Sequence, residues 1–326
     1  MKEKDIRDPA ALARYLELVR QDIAVYFTDP DGFASVSCPA CGGGRHAQEF
    51  VKDGFRYVSC AACSTLFANP RPTADRLKRF YLDAPSSRYW IDGFFRPVAE
   101  NRRALIFRPR ADYVAGRLGV SRGCIGDIGA GFGLFLEELR KHWPDAELMA
   151  IEPSAEMAAI CRSRGIGVVQ AAVEDLAGLP ARFDLLTAFE LIEHLHEPRR
   201  LIEEAFRLLR PGGWFLATTL SARGFDIQIL WEGSNSVSPP HHLNFLTPEA
   251  LAGLCVAAGF TVEEVSTPGE LDWDLVERAI LKDGAQTDRF WRWLAQHGDA
   301  AAKRDLQQWV ARHGLSSHMR ILTRKP

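Results

Sequence analysis

The feature that most constrains the fold is a short apolar segment followed at once by a glycine-rich turn and an amphipathic stretch. Residues 124–128 (CIGDI) have the pattern of a strand, and residues 129–133 (GAGFG) have that of a tight turn. A helix is expected next, with Phe132, Phe135, Leu136 and Leu139 on one face. From Gly123 onward strands and helices alternate, which predicts a parallel sheet covered on both faces. Glycines in such a turn let a ligand approach the backbone, and the helix that follows directs its free N–H groups to the same place. The sequence therefore predicts an α/β domain with a nucleotide-type site.

The spacing of the glycines separates two classes of nucleotide site. A dinucleotide fingerprint needs G-x-G-x-x-G, whereas position 134 is Leu and the third glycine, Gly133, comes one residue early. The next strand ends at Glu152, where an acidic side chain can take both hydroxyls of a ribose. The stretch DIGAGFG at residues 127–133 resembles motif I of the class I S-adenosylmethionine-dependent methyltransferases, and it matches their acid-x-Gly-x-Gly-x-Gly pattern at every position.

This resemblance covers about Gly123 to Val265, and a closing strand is expected at residues 318–323. It implies a Rossmann-like sheet of seven strands with helices on both faces, and S-adenosyl-L-methionine as the cofactor. In that family the first acid and the glycines bracket the amino-acid end of the cofactor, the acid after the second strand binds the ribose, and a later loop grips the adenine. The cofactor-binding residues that the resemblance implies are Asp127, Gly129, Ala130, Gly131, Gly133, Glu152, Val173, Glu174 and Glu190.

Two C-x2-C pairs near the N-terminus predict a structural zinc site. The 18 residues between the pairs lie inside the spacing range of four-cysteine zinc sites, and they read as two short strands around a hairpin turn at residues 53–54. Four thiolates complete the tetrahedral shell of Zn²⁺, which leaves no position for a reacting water. Four buried thiols or a redox pair are the alternatives, but paired cysteines in a cytosolic chain are more often metal ligands. The predicted ligands are Cys38, Cys41, Cys60 and Cys63.

Charge and hydropathy narrow the choice of partners. The chain has 40 Lys and Arg against 42 Asp and Glu, a net charge of −2, so it lacks the basic excess typical of nucleic-acid-binding proteins. It has no run of about 18 uncharged apolar residues, and its N-terminus is charged where a signal peptide is apolar. We therefore expect a cytoplasmic protein with no membrane partner. A zinc-ribbon RNA methyltransferase and a non-catalytic adaptor with a degenerate Rossmann-like half stay open as alternatives.

The first candidate catalytic segment is residues 190–195 (ELIEHL), at the end of the fourth predicted strand. Methyl transfer to a hydroxyl needs a group that removes a proton, and histidine suits that task near neutral pH. The segment resembles the E-x-x-E-H segment of ubiquinone-type and small-RNA 2′-O-methyltransferases, which offers Glu190, Glu193 and His194 as ligands of a catalytic Mg²⁺. A Glu–His pair that caps the next helix is the favoured interpretation over a catalytic metal. His194 remains a catalytic candidate.

The second candidate segment lies in an insertion after strand five, residues 221–245, and carries the sequence PPHHL. With the F-x-T-P that follows, it resembles the acceptor loop of zinc-ribbon-bearing methyltransferases from bacterial polysaccharide and sugar-modification clusters. A related family of sugar C-methyltransferases has a catalytic residue here that implies His242, ahead of His241, as the base. A loop held by its own hydrogen bonds is the structural alternative. We expect O-methylation of a small-molecule or sugar/glycan acceptor with a histidine general base.

The remaining segments are assigned by position. The chain is divided into an N-terminal helix (1–32), a zinc ribbon (33–70), linker and lid helices (71–118), and a methyltransferase domain (119–326) with insertions at about 221–246 and 268–316. Aromatic residues of the linker can cover a ligand, although packing against the main domain is the favoured interpretation. Trp291 and Trp293 cannot share one helix face, so one should meet the acceptor pocket, the insertion's own core or the partner in a homodimer.

Overall fold

The computed structural model describes residues 2–176 and 178–326, apart from the side chain of Glu174. The chain begins with helices α1 (Glu3–Ile6) and α2 (Pro9–Tyr26). Proline is well placed in the first turn of α2, because the N–H that it lacks would have no helical partner there. Within these described residues, no helix is both long enough and apolar enough to cross a bilayer.

The cysteine pairs lie next to a small antiparallel sheet. The strands of this region are β1 (Phe33–Ala34), β2 (His46–Lys52), β3 (Phe55–Cys60), β4 (Leu66–Ala68) and β5 (Arg71–Pro72). Of these, β2, β3 and β4 belong to the small sheet, whereas β1 and β5 form a separate two-stranded sheet. Strands β2 and β3 form a hairpin whose turn residues, Asp53 and Gly54, have φ values of 46° and 83°. Positive φ at both positions is what a two-residue hairpin turn requires, so the predicted hairpin is confirmed. Strand β4 pairs with β3, and β1 pairs with β5.

An irregular helical linker follows. It contains α3 (Ala74–Asp83), α4 (Pro85–Tyr89), α5 (Ala99–Arg102) and α6 (Arg108–Arg117). Two π-helical turns, Trp90–Phe95 and Arg103–Phe107, interrupt it. The sequence predicts a helix over about 98–118 with a kink near Pro109, and the structure has the irregular turns before α6, with Pro109 in the first turn of α6. That position tolerates the missing N–H.

The described residues then form the expected seven-stranded sheet. The strands of this region are β6 (Cys124–Ile128), β7 (Glu147–Ile151), β8 (Gly167–Val169), β9 (Phe183–Phe189), β10 (Leu209–Leu220), β11 (Asn244–Phe245), β12 (Thr261–Ser266) and β13 (His318–Arg324). The sheet order is β12-β13-β10-β9-β6-β7-β8. Strand β13 runs antiparallel to both of its neighbours, and the remaining pairs are parallel. The predicted α/β class and the closing strand are confirmed.

Helices cover both faces of this sheet. The helices of this region are α7 (Leu134–His142), α8 (Ala155–Ser163), α9 (Pro198–Leu208), α10 (Phe225–Leu230), α11 (Pro248–Ala257), α12 (Asp272–Leu281), α13 (Arg289–His297) and α14 (Ala300–Arg312). Of these, α10, α12, α13 and α14 pack around a separate core of their own. Successive strand residues point to opposite faces, so Leu185 packs in the core with α6 and α7, whereas Leu186 packs in the core with α9 and α11. Trp291 contacts Trp273 and Phe225 inside the core of the C-terminal insertion, and Trp293 is half exposed.

Strand β11 follows β10 of the central sheet in sequence, but it belongs to the small sheet. It pairs with β4, with Asn244 opposite Phe67 and Phe245 opposite Leu66, so the small sheet has the order β11-β4-β3-β2. The sequence analysis assigns these strands to two separate units. In the structure, a strand from the insertion after β10 completes the sheet that carries the cysteines, which fixes the PPHHL loop against that sheet.

Candidate active site

The glycine turn after β6 has the backbone conformation that its sequence predicts. Gly129, Gly131 and Gly133 have φ values of 74°, 55° and 71°, a region that side chains disfavour. The N–H of Gly131 donates to Oε2 of Glu152 at 2.9 Å, and the N–H of Gly129 donates to the carbonyl of Ile151 at 2.8 Å. The turn is therefore tied to the end of the neighbouring strand β7, and Ala130 lies between its first two glycines.

Two buried carboxyl groups flank the turn. Asp127 is 3% exposed and its Oδ1 accepts a hydrogen bond from the Thr187 hydroxyl at 2.6 Å. Burial raises the pKa of Asp127 to about 7, although that hydrogen bond and the charge of Arg110 oppose the rise. Burial also raises the pKa of Glu152, whose oxygens accept the N–H groups of Gly131 and Ser154. A carboxylate has about four acceptor positions, so Glu152 keeps capacity for two ribose hydroxyls.

This geometry is compatible with an adenosine-type cofactor that carries an amino-acid end. A Cβ built on Gly131 would meet no heavy atom within 4 Å, so open space lies above the turn where the backbone can be approached. Val173 lies in a short 3₁₀ turn after β8 and is 5% exposed, in the loop predicted to contact the adenine. The side chain of Glu174, the other residue predicted there, lies outside the described part of the chain.

Glu190 directly follows strand β9 and is held by three neighbours. It has a φ of 50°, its Oε1 accepts hydrogen bonds from Arg110 and from Thr218, and its Oε2 lies 2.9 Å from Nδ1 of His318. Burial opposes ionisation, but the charges of His318 and Arg110 keep the pKa of Glu190 well below its usual range. The pKa of His318 is raised in turn by Glu190, against the effect of burial. The sequence analysis missed Arg110 and His318, because nothing local links them to residue 190.

The three candidate histidines lie together. The ring centroids of His194 and His242 are 4.8 Å apart, and those of His194 and His241 are 6.4 Å apart. The Nε2 atom of His241 lies 2.8 Å from the hydroxyl of Tyr15, and its ring also contacts Tyr81. Burial and the neighbouring histidines lower the pKa values of His241 to about 3 and of His194 well below its usual range. At neutral pH these rings are therefore uncharged.

His242 is held in one orientation by a backbone carbonyl. Its Nδ1 lies 2.6 Å from the carbonyl oxygen of Ser236, which can only accept a hydrogen bond. In the neutral ring Nδ1 must then carry the proton, and Nε2 has a free lone pair. Burial lowers the pKa of His242 to about 4, while Ser236 and the charge of Glu190 act in the opposite direction. The ring is thus in its proton-accepting form across the physiological range.

Glu193 completes a compact cluster with two of these histidines. Ligand atoms of Glu193, His194 and His242 all lie within 4.8 Å of one another. Glu193 is buried, accepts a hydrogen bond from Thr219 at 2.7 Å, and has a pKa raised to about 8 by burial and by the charge of Glu190. The cluster can hold a divalent cation or pass a proton. The resemblance also offered Glu190 as a metal ligand, but in the structure Glu190 is engaged by Arg110 and His318.

The four cysteines also converge. Their sulfur atoms lie within 4.8 Å of one another, and the Cys38–Cys63 and Cys41–Cys60 pairs are each 3.5 Å apart. A tetrahedral zinc ion with Zn–S bonds of about 2.3 Å requires S–S separations of about 3.8 Å, so the cluster is close to zinc geometry. A Cβ on Gly43 would lie 3.3 Å from Cys41 Sγ and 3.5 Å from Cys60 Sγ, which explains a glycine there.

Strands β2, β3 and β5 hold residues 234–244, the histidine loop, through side chains that sequence reasoning did not single out. The Tyr57 hydroxyl, on β3, donates to the carbonyl of His242 at 2.8 Å. Arg71 is 1% exposed and donates to Asn244 Oδ1 at 2.9 Å, and Lys52 donates to the carbonyl of Ser234 at 2.7 Å. No sequence signal marks these contacts, because their partners are more than 150 residues apart along the chain.

Linker aromatics line the same region. Tyr15 stacks on Phe94 and contacts Trp90, both in the π-helical turn that follows α4. Phe95 packs edge-on against Phe132 of the glycine turn, with ring centroids 4.9 Å apart. The hydroxyl of Tyr81 lies 3.4 Å from Nδ1 of His194. The N-terminal helix and the linker thus pack against the main domain and also cover the histidine cluster.

Comparison with known proteins agrees with this geometry. A family model described as a methyltransferase domain matches residues 98–265, more than half of the chain. A ubiquinone biosynthesis O-methyltransferase from Xanthomonas oryzae pv. oryzae is 28% identical over 216 residues, 61% of this chain and 87% of that protein. The enzyme of that name from Xylella fastidiosa is 26% identical over 225 residues, 64% of this chain and 90% of that protein.

One solved structure supports the fold. It comes from the complex between the Trm112 methyltransferase activator and a methyltransferase of Haloferax volcanii, and it aligns with a TM-score of 0.52 at 16% identity, covering 73% of this chain and 96% of that one. At this identity the likeness concerns the fold alone. The family match, the motif I turn and the sheet order agree: the chain belongs to the methyltransferase-domain family and is a class I S-adenosylmethionine-dependent methyltransferase.

Proposed function

We propose that this enzyme methylates a hydroxyl group of a small-molecule or sugar/glycan acceptor, with His242 as the general base. The observation that carries the proposal is the hydrogen bond from Nδ1 of His242 to the Ser236 carbonyl, which leaves Nε2 as a proton acceptor. The ring of His242 belongs to the cluster with Glu193 and His194. Two relatives are named O-methyltransferases, which supports oxygen as the acceptor atom.

S-adenosylmethionine, when bound, supplies an electrophilic methyl group on a sulfonium. The glycine turn, Asp127, Glu152 and Val173 would hold it, and Glu190 would position the end of β9 beside it. His242 would accept the hydroxyl proton at Nε2 as the oxygen bonds to the methyl carbon and the methyl–sulfur bond breaks, which leaves the sulfur as a neutral thioether. The nearby carboxylate of Glu190 favours the protonated ring, because its charge raises the pKa of His242. His194 is the second candidate for the base.

His241 has a positioning role in this proposal. It is 7% exposed and sits among the rings of Tyr15, Phe80 and Tyr81. Its Nε2 is already engaged by the Tyr15 hydroxyl, so it fixes the loop that carries His242. A divalent cation at Glu193, His194 and His242 is the less favoured alternative, because it would occupy the Nε2 lone pair that the proposed base needs.

The four cysteines would hold a structural Zn²⁺. All four positions of a tetrahedral ion would be filled by sulfur, so the metal would take no part in the transfer. Its effect would be to hold β3 and the turns at the two cysteine pairs in fixed positions, and the histidine loop is bonded to this region.

A small acceptor is favoured over RNA by the surroundings of the cluster. Tyr15 and Tyr81 cover the histidines, which limits the size of what can reach Nε2. RNA binding would need free cations on the small sheet, yet Lys52 and Arg56 donate to the backbone carbonyls of Ser234 and Asn69. RNA therefore remains the second candidate, tested as one of the acceptors below.

The test is methyl transfer from labelled S-adenosylmethionine to catechols, sugars, nucleotide sugars and RNA, with the product identified by mass spectrometry. We expect an O-methylated small molecule, and His242→Ala should lower kcat by a factor of about 10² to 10⁴, the usual contribution of a general base. Binding of S-adenosylhomocysteine, measured by calorimetry, should not change. His313→Ala, an exposed histidine on the surface next to Trp309, serves as the control. Full turnover in the His242 variant, or transfer to RNA alone, would overturn the proposal.

A further inference from the structure

Asp226 is a buried carboxylate that the proposed mechanism does not use. It lies in helix α10 and is 1% exposed. Its hydrogen-bond partners in the described part of the chain are the hydroxyls of Ser234, Ser236 and Ser317, and none of them is a cation. Transfer of a carboxylate out of water is costly, and buried charges are normally paired with an opposite charge. A carboxylate that is buried with hydroxyl partners alone suggests a role other than ion pairing.

Two of these serines shape the start of the histidine loop. The hydroxyls of Ser234 and Ser236 both lie 2.6 Å from Oδ2 of Asp226. The N–H of Ser236 donates to Oγ of Ser234 at 3.1 Å, and the Ser236 carbonyl accepts the hydrogen bond from Nδ1 of His242. Asp226 therefore holds Ser236 directly by its side chain, and by its N–H through Ser234, next to the carbonyl that orients the proposed base.

A negative charge at position 226 sets the direction of the two hydroxyl groups. An ionised carboxylate can only accept hydrogen bonds, so both serine protons must point at it. Oγ of Ser234 then has its lone pairs free for the N–H of Ser236. A neutral group in the place of Asp226 would let the hydroxyls rotate and would weaken this arrangement.

The histidine loop is held from two sides in this region. The Ser317 hydroxyl donates to Oδ1 of Asp226, and Ser317 comes directly before strand β13 of the central sheet. On the side of the small sheet, Nζ of Lys52 donates to the carbonyl of Ser234 at 2.7 Å. Asp226 thus ties the loop to the central sheet, while Lys52 ties it to the small one.

We propose that Asp226 is a positioning residue for methyl transfer. Through Ser234 and Ser236 it holds the carbonyl that keeps the proton of His242 on Nδ1 and the lone pair on Nε2. The inference rests on the proposed role of His242 as the base, because Asp226 acts on the reaction only through that ring. Its placement matters because a general base must lie within hydrogen-bond distance of the proton it accepts.

Nuclear magnetic resonance of the histidine rings tests this hold directly. Two-bond correlations between ring nitrogens and carbon-bound ring protons, in protein with isotope-labelled histidine, distinguish the two neutral tautomers, and His242→Ala identifies the signals of His242. The wild type should show the His242 proton on Nδ1 alone. Ser236→Ala and Asp226→Asn should show a mixture of tautomers, because the Ser236 carbonyl is then free to move.

Ser316→Ala is the matched control. Ser316 is fully buried and its hydroxyl donates to Oδ2 of Asp272 at 2.8 Å, so this variant loses the same kind of hydrogen bond without removing a partner of the histidine loop. Its melting temperature should fall at least as far as that of Ser236→Ala, because Ser236 is only partly buried. Its His242 signals and its turnover should match the wild type.

Turnover of the small-molecule acceptor found in the screen above gives the second readout. In Ser236→Ala, kcat should fall at least about fivefold, a part of the factor of about 10² to 10⁴ that a general base contributes. The calorimetric affinity for S-adenosylhomocysteine should not change, because the substitution leaves the glycine turn intact. Ser236→Ala keeps the backbone and the buried carboxylate, so it carries the test if Asp226→Asn does not fold.

A His242 ring that keeps its proton on Nδ1 alone in Ser236→Ala would overturn the inference. A loss of turnover with unchanged His242 signals would overturn it too, and so would wild-type turnover in Ser236→Ala when His242→Ala is inactive. Failure of the proposed function looks different: His242→Ala would then keep full turnover, while the tautomer of His242 would still respond to Ser236→Ala.

Discussion

The contact between the small sheet and the histidine loop allows a quantitative test through Tyr57→Phe. Tyr57 is fully buried, its ring stacks on Phe50 at 5.2 Å, and its hydroxyl donates to the carbonyl of His242 at 2.8 Å. The substitution removes one oxygen atom and leaves the ring packing in place. Loss of a neutral hydrogen bond costs about 1 kcal/mol, and up to about 3 kcal/mol if the His242 carbonyl stays buried without a partner.

Two measurements follow from this magnitude. The melting temperature should fall by roughly 2–4 °C per kcal/mol lost. Misplacement of His242 should also raise the activation free energy of methyl transfer. If that increase is about 1 kcal/mol, kcat should fall about fivefold, because 1.36 kcal/mol corresponds to a tenfold change in rate. The affinity for S-adenosylhomocysteine should not change, because the Tyr57 hydroxyl donates to the loop that carries His242 and not to the glycine turn.

Tyr113→Phe is the matched control for this experiment. The Tyr113 hydroxyl donates to Glu264 Oε2 at 3.0 Å, so the same atom is lost at a place remote from His242. The melting temperature of the Tyr113→Phe variant should fall less than that of Tyr57→Phe, because Tyr113 is only partly buried, and its kcat should match the wild type. Unchanged kcat in Tyr57→Phe, or an equal loss of kcat in Tyr113→Phe, would refute the view that the small sheet positions the base.

Three further predictions concern the cofactor turn, the metal and pH. Gly131→Arg should abolish the thermal stabilisation by S-adenosylhomocysteine, which is about 2.7 kcal/mol at 100 times Kd in the wild type. The variant should fold, because its Cβ meets open space, but with a lower ligand-free melting temperature, because a side chain is strained at a φ of 55°. Retained stabilisation by the ligand would misplace the site. The purified chain should contain one zinc, measured by metal analysis, and Cys38→Ser should lower both metal content and melting temperature; a metal-free wild type of full stability would contradict the zinc proposal. Burial raises the pKa of Asp127 to about 7, so the folded protein keeps a proton there that the unfolded chain loses above about pH 4. The contribution of this group to the free energy of unfolding is therefore complete below about pH 4 and is lost as pH rises through 7, at about 1.4 kcal/mol per pKa unit. Asp127→Asn should flatten the dependence of ligand-free melting temperature on pH over this range, and an unchanged slope would refute the assignment.

The fold of the central domain follows from local signals. The strand, glycine turn and helix at residues 124–142 are adjacent in sequence, and the φ values of the three glycines depend only on their immediate neighbours. The hairpin at residues 46–60 is local in the same way, because its turn type is set by Asp53 and Gly54. Such features can be predicted because no distant part of the chain has to be placed first.

The candidate site is less predictable because its contacts are distant in sequence. Position 190 gives no sign that Arg110 and His318 will hold its carboxylate from 80 and 128 residues away. Likewise, the loop sequence shows two adjacent histidines but does not show which nitrogen of His242 will meet the Ser236 carbonyl. Residue types suggested the chemistry, and the family resemblance put His242 ahead of His241, whereas the different partners of the two rings are visible only in their hydrogen bonds.

The cysteine cluster and the proposed base are connected by a short series of contacts. Strand β3 carries Cys60 at its end and Tyr57 three residues earlier, and Tyr57 holds the carbonyl of His242. Beyond β11, the Thr247 hydroxyl donates to the carbonyl of Cys63 at 3.3 Å, so the loop is attached to the cysteine sheet on both sides of β11. A metal that fixes the cysteines would therefore fix both attachments. Although it would lie outside the reaction, it would act on turnover through the position of His242, because a base must be held within hydrogen-bond distance of the proton it accepts.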